Sequence, residues 1–319
     1  MRRLWQRTMI ALARSERSKH WAQDSRAGTA LATRFVGGGT PEAAIACVQQ
    51  LLAYHGMRSS LFYLGEYVDR MELLAENVEA KLAAAERLGR AGLDVHVSVD
   101  PTQIGHSIDP ALARRHARSI AEVIARESRG RPGVNALMLD MEDAGVVDWT
   151  IGLHDELALA GLPVAVTLQA YLRRTEADLA KQIHLGSKVR LVKGAFAAGR
   201  DIAFTTRREI KANSRHLIDL MLSRQARQSG FYPIIATHDE RLHAFAIERA
   251  RTNGWRQDEY EFEMLFGVRS GVAQELARQS ERVRLYVPFG TDWWPYALRR
   301  IGESPRNAVL LIRSLLQAG

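Results

Sequence analysis

Val164-Ala-Val-Thr-Leu-Gln-Ala-Tyr171, a helix-length stretch over 174–182, then Val189-Arg-Leu-Val-Lys-Gly-Ala-Phe196: this β–α–β unit decides how the chain folds. Each apolar run has strand length and ends in polar residues, and a stretch of helix length separates the two runs. The same unit recurs on both sides. The runs are 59–67, 95–100, 136–143, 164–171, 189–196, 233–239, 260–268 and 283–289. Helical stretches lie between them, among them 72–89, 110–126, 214–229, 241–251 and 270–279. Eight alternations with buried strands predict an α/β fold, a (β/α)8 TIM-type barrel. The competing doubly wound sheet would more often open on a glycine-rich turn, and the GxGxxG fingerprint is absent.

The 319 residues, 46% hydrophobic, suit one such barrel with a large core. We divide the chain into an N-terminal helical arm, 1–56, and a catalytic barrel, 57–319. No apolar run reaches the length of a membrane span. The single Cys47 rules out an internal disulfide and suits a reducing, cytoplasmic setting. Arg7 interrupts the first apolar run, which makes a poor signal peptide.

The net charge of +8 is concentrated in the arm. Residues 1–34 hold eight Lys or Arg against Glu16 and Asp24, a surplus of +6. Leu4, Trp5, Met9 and Leu12 lie near helical spacing there. One reading is contact with a membrane surface on the cytoplasmic face; the other is an arm packed on the barrel with its charges in water. No nucleic-acid-binding signature accompanies the charge. Gly37-Gly-Gly39 lacks the Lys-Ser/Thr of a phosphate loop and reads as a flexible joint.

In a barrel of this kind the reactive groups gather at the C-terminal ends of the strands. Those ends offer Glu66, Asp100, Asp140 with Glu142 and Asp143, Gln169, Arg190 with Lys193, Thr237 with His238 and Asp239, Glu261 with Glu263, and Tyr286. Arg190 and Glu263 have apolar residues on both sides, which places them inside the barrel mouth. For Glu142 and Glu261 an internal ion network is the simpler reading. After the last strand, Asp292 is a good N-cap, and Tyr296, Arg299, Arg300 and Glu303 share one side of a short helix. That pattern is either a solvated basic face or a fork for a carboxylate or phosphate. His238 has no His-x-His partner, so no metal site is expected. Two chemistries remain. Lys193 could form a Schiff base, making a lyase. Alternatively Arg190, Lys193-Gly194-Ala195, Thr237 and His238 could hold an organic cofactor with an anionic tail.

Eight short motifs in order resemble the proline dehydrogenases. They are Leu64-Gly-Glu66, Leu139-Asp-Met-Glu-Asp143, Leu168-Gln-Ala-Tyr171, Arg190-Leu-Val-Lys-Gly-Ala-Phe196, Ala236-Thr-His-Asp239, Phe262-Glu-Met-Leu265, Tyr286-Val-Pro-Phe-Gly290 and Tyr296-Ala-Leu-Arg-Arg300. Together they cover about residues 30–316. The resemblance implies a monofunctional, FAD-dependent, distorted (β/α)8 barrel of the proline-utilisation type. It implies hydride transfer from L-proline to flavin N5, giving Δ1-pyrroline-5-carboxylate. Residue by residue, it places Asp140 and Arg190 in catalysis, with Arg190 near N5. Arg299 and Arg300 would clamp the substrate carboxylate, and Tyr286, Tyr296 and Leu265 would wall the pocket. Glu66 would pair with the clamp when the pocket is empty. Met141, Gln169, Lys193, Gly194, Ala195, Thr237 and His238 would hold FAD. A quinone is the implied electron acceptor. Two positions depart from the pattern. Asp100 stands where the family usually has a lysine that contacts the carboxylate, and Phe196 stands where it often has tyrosine. Asp100 therefore raises a different cyclic or secondary amine as an alternative substrate.

Overall fold

The computed structural model describes residues 26–65, 68 and 70–303. The readings made on residues 1–25, on Glu66 and on 304–319 lie outside these. Among the described residues two helices come first, α1 (Arg26–Phe35) and α2 (Pro41–His55). The barrel follows: β1 (Arg58–Tyr63), α3 (Met71–Arg90), β2 (His96–Val99), α4 (Pro110–Glu127), β3 (Ala136–Leu139), α5 (Val147–Leu159) and β4 (Val164–Gln169). Then come α6 (Thr175–His184), β5 (Lys188–Val192), α7 (Arg207–Met221), α8 (Arg224–Gln228), β6 (Tyr232–Ala236) and α9 (Glu240–Thr252). The described residues end on β7 (Glu261–Leu265), α10 (Ser270–Arg278), β8 (Val283–Phe289) and α11 (Trp293–Glu303). The eight strands pair in sequence order, all parallel, and β8 closes on β1. All eight strands predicted from sequence are present, within a few residues of their expected bounds.

Alternation along each strand sorts the side chains. Val97 and Val99 of β2, with Val95 just before it, face the surrounding helices, whose Ala84, Ala85, Leu88, Ala117 and Ile120 bury in the same core. The opposite residues point to the axis. Ala136, Met138, Ala165 and Ile234 form a small apolar plug there. Charged residues fill the rest of the interior in two layers.

The lower layer, at the N-terminal strand ends, centres on Arg284, which is fully buried. Its Nε donates to Glu261 Oε1 at 2.6 Å, Nη2 donates to Asp94 Oδ2 at 2.7 Å, and Nη1 donates to the Ser59 carbonyl at 2.7 Å. Arg58 donates to the other Asp94 oxygen at 2.6 Å. Glu261 thus belongs to an ion network, as expected, but at the opposite end of the barrel from the mouth. It is the first residue of β7, not the last.

The glycine triplet is not a joint. The Gly37 N–H donates to the Pro288 carbonyl at 2.8 Å, and the Gly290 N–H donates to the Gly38 carbonyl at 2.9 Å. Gly38 sits at φ +136°, where an added Cβ would meet the Ala43 methyl at 2.4 Å. Three small residues let the α1–α2 turn press against the end of β8. Among the described residues no helix is long and apolar enough to cross a membrane.

Candidate active site

The upper charged layer centres on Arg190, in the middle of β5 and 3% exposed. Its Nε donates to Glu263 Oε2 at 2.6 Å, and Nη2 donates to Glu263 Oε1 at 3.2 Å and to Ser98 Oγ at 2.9 Å. Its Nη1 pairs with Asp140 Oδ1. Ser60 Oγ donates to Glu263 Oε1 at 2.6 Å. All three guanidinium nitrogens have a partner, so the direction of the group is fixed. Sequence reasoning found Arg190 and Glu263 but missed Ser60 and Ser98. The signal was their place two residues along the same inward-facing strand rows.

Asp140 follows β3 and links three strands. Thr167 Oγ1 donates to its Oδ1 at 3.1 Å, and the Tyr286 hydroxyl donates to its Oδ2 at 3.0 Å. Burial pushes the Asp140 carboxyl up from its ordinary range, against the pull of Arg190, Tyr286 and Thr167. Burial, then the Asp140 and Asp100 charges, push the Tyr286 hydroxyl well above its ordinary value, so it remains a donor. The Arg190 guanidinium lies 5.2 Å from the Tyr286 ring centroid.

Beside this network Gln169, the last residue of β4, donates through Nε2 to the carbonyls of Met141 at 3.2 Å and Glu142 at 3.1 Å. These bonds fix the amide. Its Oε1 is buried and has no protein partner, which leaves an acceptor for a ring N–H. Glu142 itself accepts from the Thr102 hydroxyl at 2.7 Å and from the Thr102 N–H at 2.9 Å. It therefore serves the β2 loop, with no ion pair among the described residues.

The chain then turns at Gly194, φ +90°, where an added Cβ would lie 2.1 Å from the Tyr171 ring. Beyond that turn a cavity of about 310 Å³ opens between the ends of β5 and β6 and helices α7 and α9. Lys193, Arg207, Lys211, Thr237 and Asp239 line it, with Ile210, Ile218 and Leu242 as its floor. Lys211 pairs with Asp239 at 2.5 Å, so the lining carries a surplus of positive charge. An orphaned acceptor, a glycine cradle and a cationic apolar cleft fit a flat heteroaromatic ring with an anionic tail. Lys193 is exposed and lacks the apolar enclosure that a Schiff-base lysine requires.

His238 follows β6. The Leu265 N–H donates to its Nε2 at 3.2 Å, which leaves the ring proton on Nδ1. Burial, then the charges of Arg300, His243 and Arg269, hold it down to about 4. The ordinary histidine value is higher, about 6.5. Between these values the unfolded chain holds a proton that the folded chain refuses. The stability of the neutral ring is present above pH 6.5 and is lost as pH falls toward 4. Urea unfolding at stepped pH should show His238→Gln with a slope shallower by up to about 1.4 kcal/mol per pH unit in that window. Identical slopes for the two proteins would contradict the assignment.

Helix α11 lies across the mouth. Trp293, Trp294, Tyr296, Ala297 and Leu298 pack with Phe62, Leu64, Phe35 and Val36 in one buried cluster. Arg300 holds its guanidinium 5.1 Å from the Tyr296 ring centroid. Its charge is also felt by His238 on the far side. The structure therefore brings together Asp140, Arg190, Gln169, Tyr286, Tyr296, Leu265, His238 and Arg300. Asp100 directly follows β2, in step with the inward row of His96 and Ser98, and its charge reaches Tyr286. Met141 is 7% exposed below Gln169, and Ala195 and Phe196 are exposed on the loop after β5. The Arg299 side chain and Glu66 lie outside the description.

A family model described as "Proline dehydrogenase" matches residues 48–311. The chain is 33% identical over 291 residues to Proline dehydrogenase 1 of Bacillus subtilis (strain 168), covering 91% of this chain and 92% of that protein. It is 33% identical over 292 residues to Proline dehydrogenase of Deinococcus radiodurans, covering 90% of each. Two solved structures share the fold. Proline utilization A from Bdellovibrio bacteriovorus superposes with a TM-score of 0.76 at 19% identity, over 86% of this chain and 32% of that one. Proline utilization A from Corynebacterium freiburgense gives 0.72 at 20%, over 97% and 34%. The chain thus spans about a third of those longer proteins.

Proposed function

The chain belongs to the proline dehydrogenase family, and from that premise we propose that L-proline is oxidised at this barrel mouth with FAD as cofactor. It is an oxidoreductase acting on a CH–NH donor, and proline oxidation is the first step of proline catabolism. Loss of a hydride from the ring carbon beside nitrogen, and of a proton from nitrogen, forms the C=N bond of Δ1-pyrroline-5-carboxylate. FAD, when bound, supplies the hydride acceptor. The observation that carries this reading is the buried, unpartnered Gln169 acceptor at the end of β4, next to the strand that bears the hydrogen-bonded Arg190 and, at its end, the cationic cleft.

The chain's own residues then divide the work. Gln169, Arg190 and Met141 receive the flavin ring. Lys193, Gly194, Ala195, Thr237 and His238 take the remainder, with the phosphates against Lys193, Arg207 and Lys211. Arg299 and Arg300 hold the substrate carboxylate, a fork geometry suited to a planar anion. Tyr286, Tyr296 and Leu265 wall the ring and exclude water, which strengthens every charge interaction inside. Asp140 holds Tyr286 and Arg190 in register. Glu66 partners the clamp before substrate arrives. Electrons pass to a quinone, and the basic arm holds a cytoplasmic protein against an anionic membrane surface.

The purified protein should be yellow and bleach anaerobically on adding L-proline. A soluble quinone should restore the colour faster than dioxygen, and the protein should sediment with anionic liposomes. A colourless protein whose spectrum is unchanged by added FAD would overturn the cofactor. Bleaching by another cyclic amine but not by proline would transfer the substrate to that amine, the alternative that Asp100 raises. Faster reoxidation by dioxygen would remove the quinone, and liposomes that leave the protein in solution would remove the membrane contact.

A further inference from the structure

Glu263, in the middle of β7 and 3% exposed, gives both carboxylate oxygens to neighbours in the upper charged layer. Its Oε2 accepts from Arg190 Nε at 2.6 Å. Its Oε1 accepts from Arg190 Nη2 at 3.2 Å and from Ser60 Oγ at 2.6 Å. Asp140 takes the third nitrogen of the same guanidinium, Nη1. One buried cation therefore carries two carboxylates. Arg284, the register partner of Glu263 on β8, directs its own donors to Glu261, Asp94 and the Ser59 carbonyl. The anionic surplus around Arg190 is not cancelled by a hydrogen bond from that side.

The two carboxylates differ in what else they hold. Asp140 reaches the pocket, accepting from the Tyr286 hydroxyl at 3.0 Å and from Thr167 Oγ1 at 3.1 Å. Among the described residues Glu263 hydrogen-bonds to Arg190 and Ser60 alone. A glutamine there would have nearly the same shape. Its carbonyl would accept from Arg190 and its amide would donate to Ser60, so aiming the guanidinium does not require an acid. What the acid adds is charge, in a buried place where charge is weakly screened. Against the cost of burial, Glu263 and then Asp140 hold the Arg190 proton above its ordinary range. The pull is mutual, so the same anions offset the positive potential that Arg190 shows to the pocket.

That potential bears on electron transfer. Gaining a hydride adds a negative charge to a flavin, so a positive surrounding favours the reduced form and a negative one the oxidised form. Resting on the FAD reading, in which Arg190 lies against the flavin ring, we propose that Glu263 is a positioning residue that acts through Arg190 to hold the flavin midpoint potential down. It thereby sets how readily the reduced cofactor passes its electrons on.

The test is potentiometric, a reductive titration of the flavin-loaded protein against a reference dye. Glu263→Gln should favour the reduced over the oxidised flavin about tenfold, the scale of one partly screened charge. For a two-electron couple that raises the midpoint potential by about 30 mV. Ser60→Ala removes a hydrogen bond from the same carboxylate without changing any charge, and its ratio should stay within about twofold of wild type. Should the glutamine variant not fold, Glu263→Met removes the same charge and takes its place. A flavin-bearing charge-free variant whose potential is unchanged or lower overturns the proposal. So does a Ser60→Ala shift as large as the charge-free one, because packing rather than charge would then set the potential. If neither Glu263 variant folds with flavin bound, the residue is a structural counter-ion and the proposal fails. A wild-type protein that takes up no FAD is a separate failure, which removes the cofactor reading and this inference with it.

Discussion

Replacing Arg190 with methionine should lower proline turnover by about 10²–10³-fold, the range seen when a preorganised charge is removed from a reacting centre. It should also lower unfolding stability by about 3–5 kcal/mol, the cost of leaving buried partners unpaired. The two effects share one cause. Arg190 is 3% exposed and holds Asp140 and Glu263 together on the barrel axis. Without the guanidinium, two carboxylates face each other in a site that excludes water. Asp140 already sits above its ordinary range through burial, and Arg190 is the first of the groups pulling it down. Its loss pushes the Asp140 carboxyl further up, so the mouth loses a fixed cation and holds its anion less firmly. Arg190→Lys keeps a charge but not the planar fork. A single ammonium cannot span Glu263, Asp140 and Ser98 at once. That variant should recover most of the stability and little of the rate. Flavin absorbance per protein separates weak cofactor retention from slow chemistry. A methionine variant that keeps its flavin and turns over within threefold of wild type would remove Arg190 from the mechanism.

What the sequence revealed about this site depended on spacing. Eight runs alternating with helical stretches are enough to close a parallel barrel, because only a closed sheet buries both faces of every strand without an edge. Arg190 and Glu263 were legible as a pair in the mouth because each interrupts an apolar strand, and a charge there must find its opposite inside. The same logic misplaced Glu261. It lies two residues before Glu263 and so shares its inward direction, but at 3.3 Å per residue that is about one layer lower. Direction follows from parity, whereas depth needs the strand's start, and strand ends are the part that local pattern fixes least. Lys81, fully buried on α3 with its Nζ donating to Asn77 Oδ1 at 3.1 Å, escaped notice for a related reason. Its helix was read for length rather than for which residues share a face, and on that face a lysine stands among leucines and alanines. The glycine triplet looked loose because nothing local shows that β8 packs against it. Its hydrogen bonds run to Pro288 and Gly290, some 250 residues away. Helix α11 was legible in its one-sided Tyr296, Arg299 and Arg300 and in its place over the mouth, because it follows the eighth strand's C-terminal end. Its packing against α1 and β1 is what no spacing encodes.

Arg284→Met should destabilise the folded chain by about 3–5 kcal/mol while leaving kcat of the folded fraction unchanged. The first half follows from burial: Arg284 and Glu261 are both fully buried, and Arg284 also anchors Asp94 and the Ser59 carbonyl. Methionine fills much of the same volume but leaves Glu261 without its directly paired cation, with Arg282 acting only through the Tyr232 hydroxyl. Asp94 keeps Arg58 at 2.6 Å, so the stranded charge is chiefly Glu261. The second half follows from position. This network lies at the N-terminal strand ends, with the apolar plug of Ala136, Met138, Ala165 and Ile234 at the barrel axis, whereas the reacting groups lie at the other ends. Urea midpoints give the stability, and initial rates in the absence of urea give kcat. Adding Glu261→Gln to Arg284→Met should restore much of the loss, because a buried pair is costly mainly when half of it remains. If the double variant is no more stable than the single one, the lower layer is held by packing and the ion pair is incidental. If kcat falls in the single variant at full folding, the two charged layers are coupled along the axis. The recovery in the double variant would also show why a barrel can carry two such layers. On the proposed mechanism the upper one must stay charged, whereas the lower one needs only to be balanced.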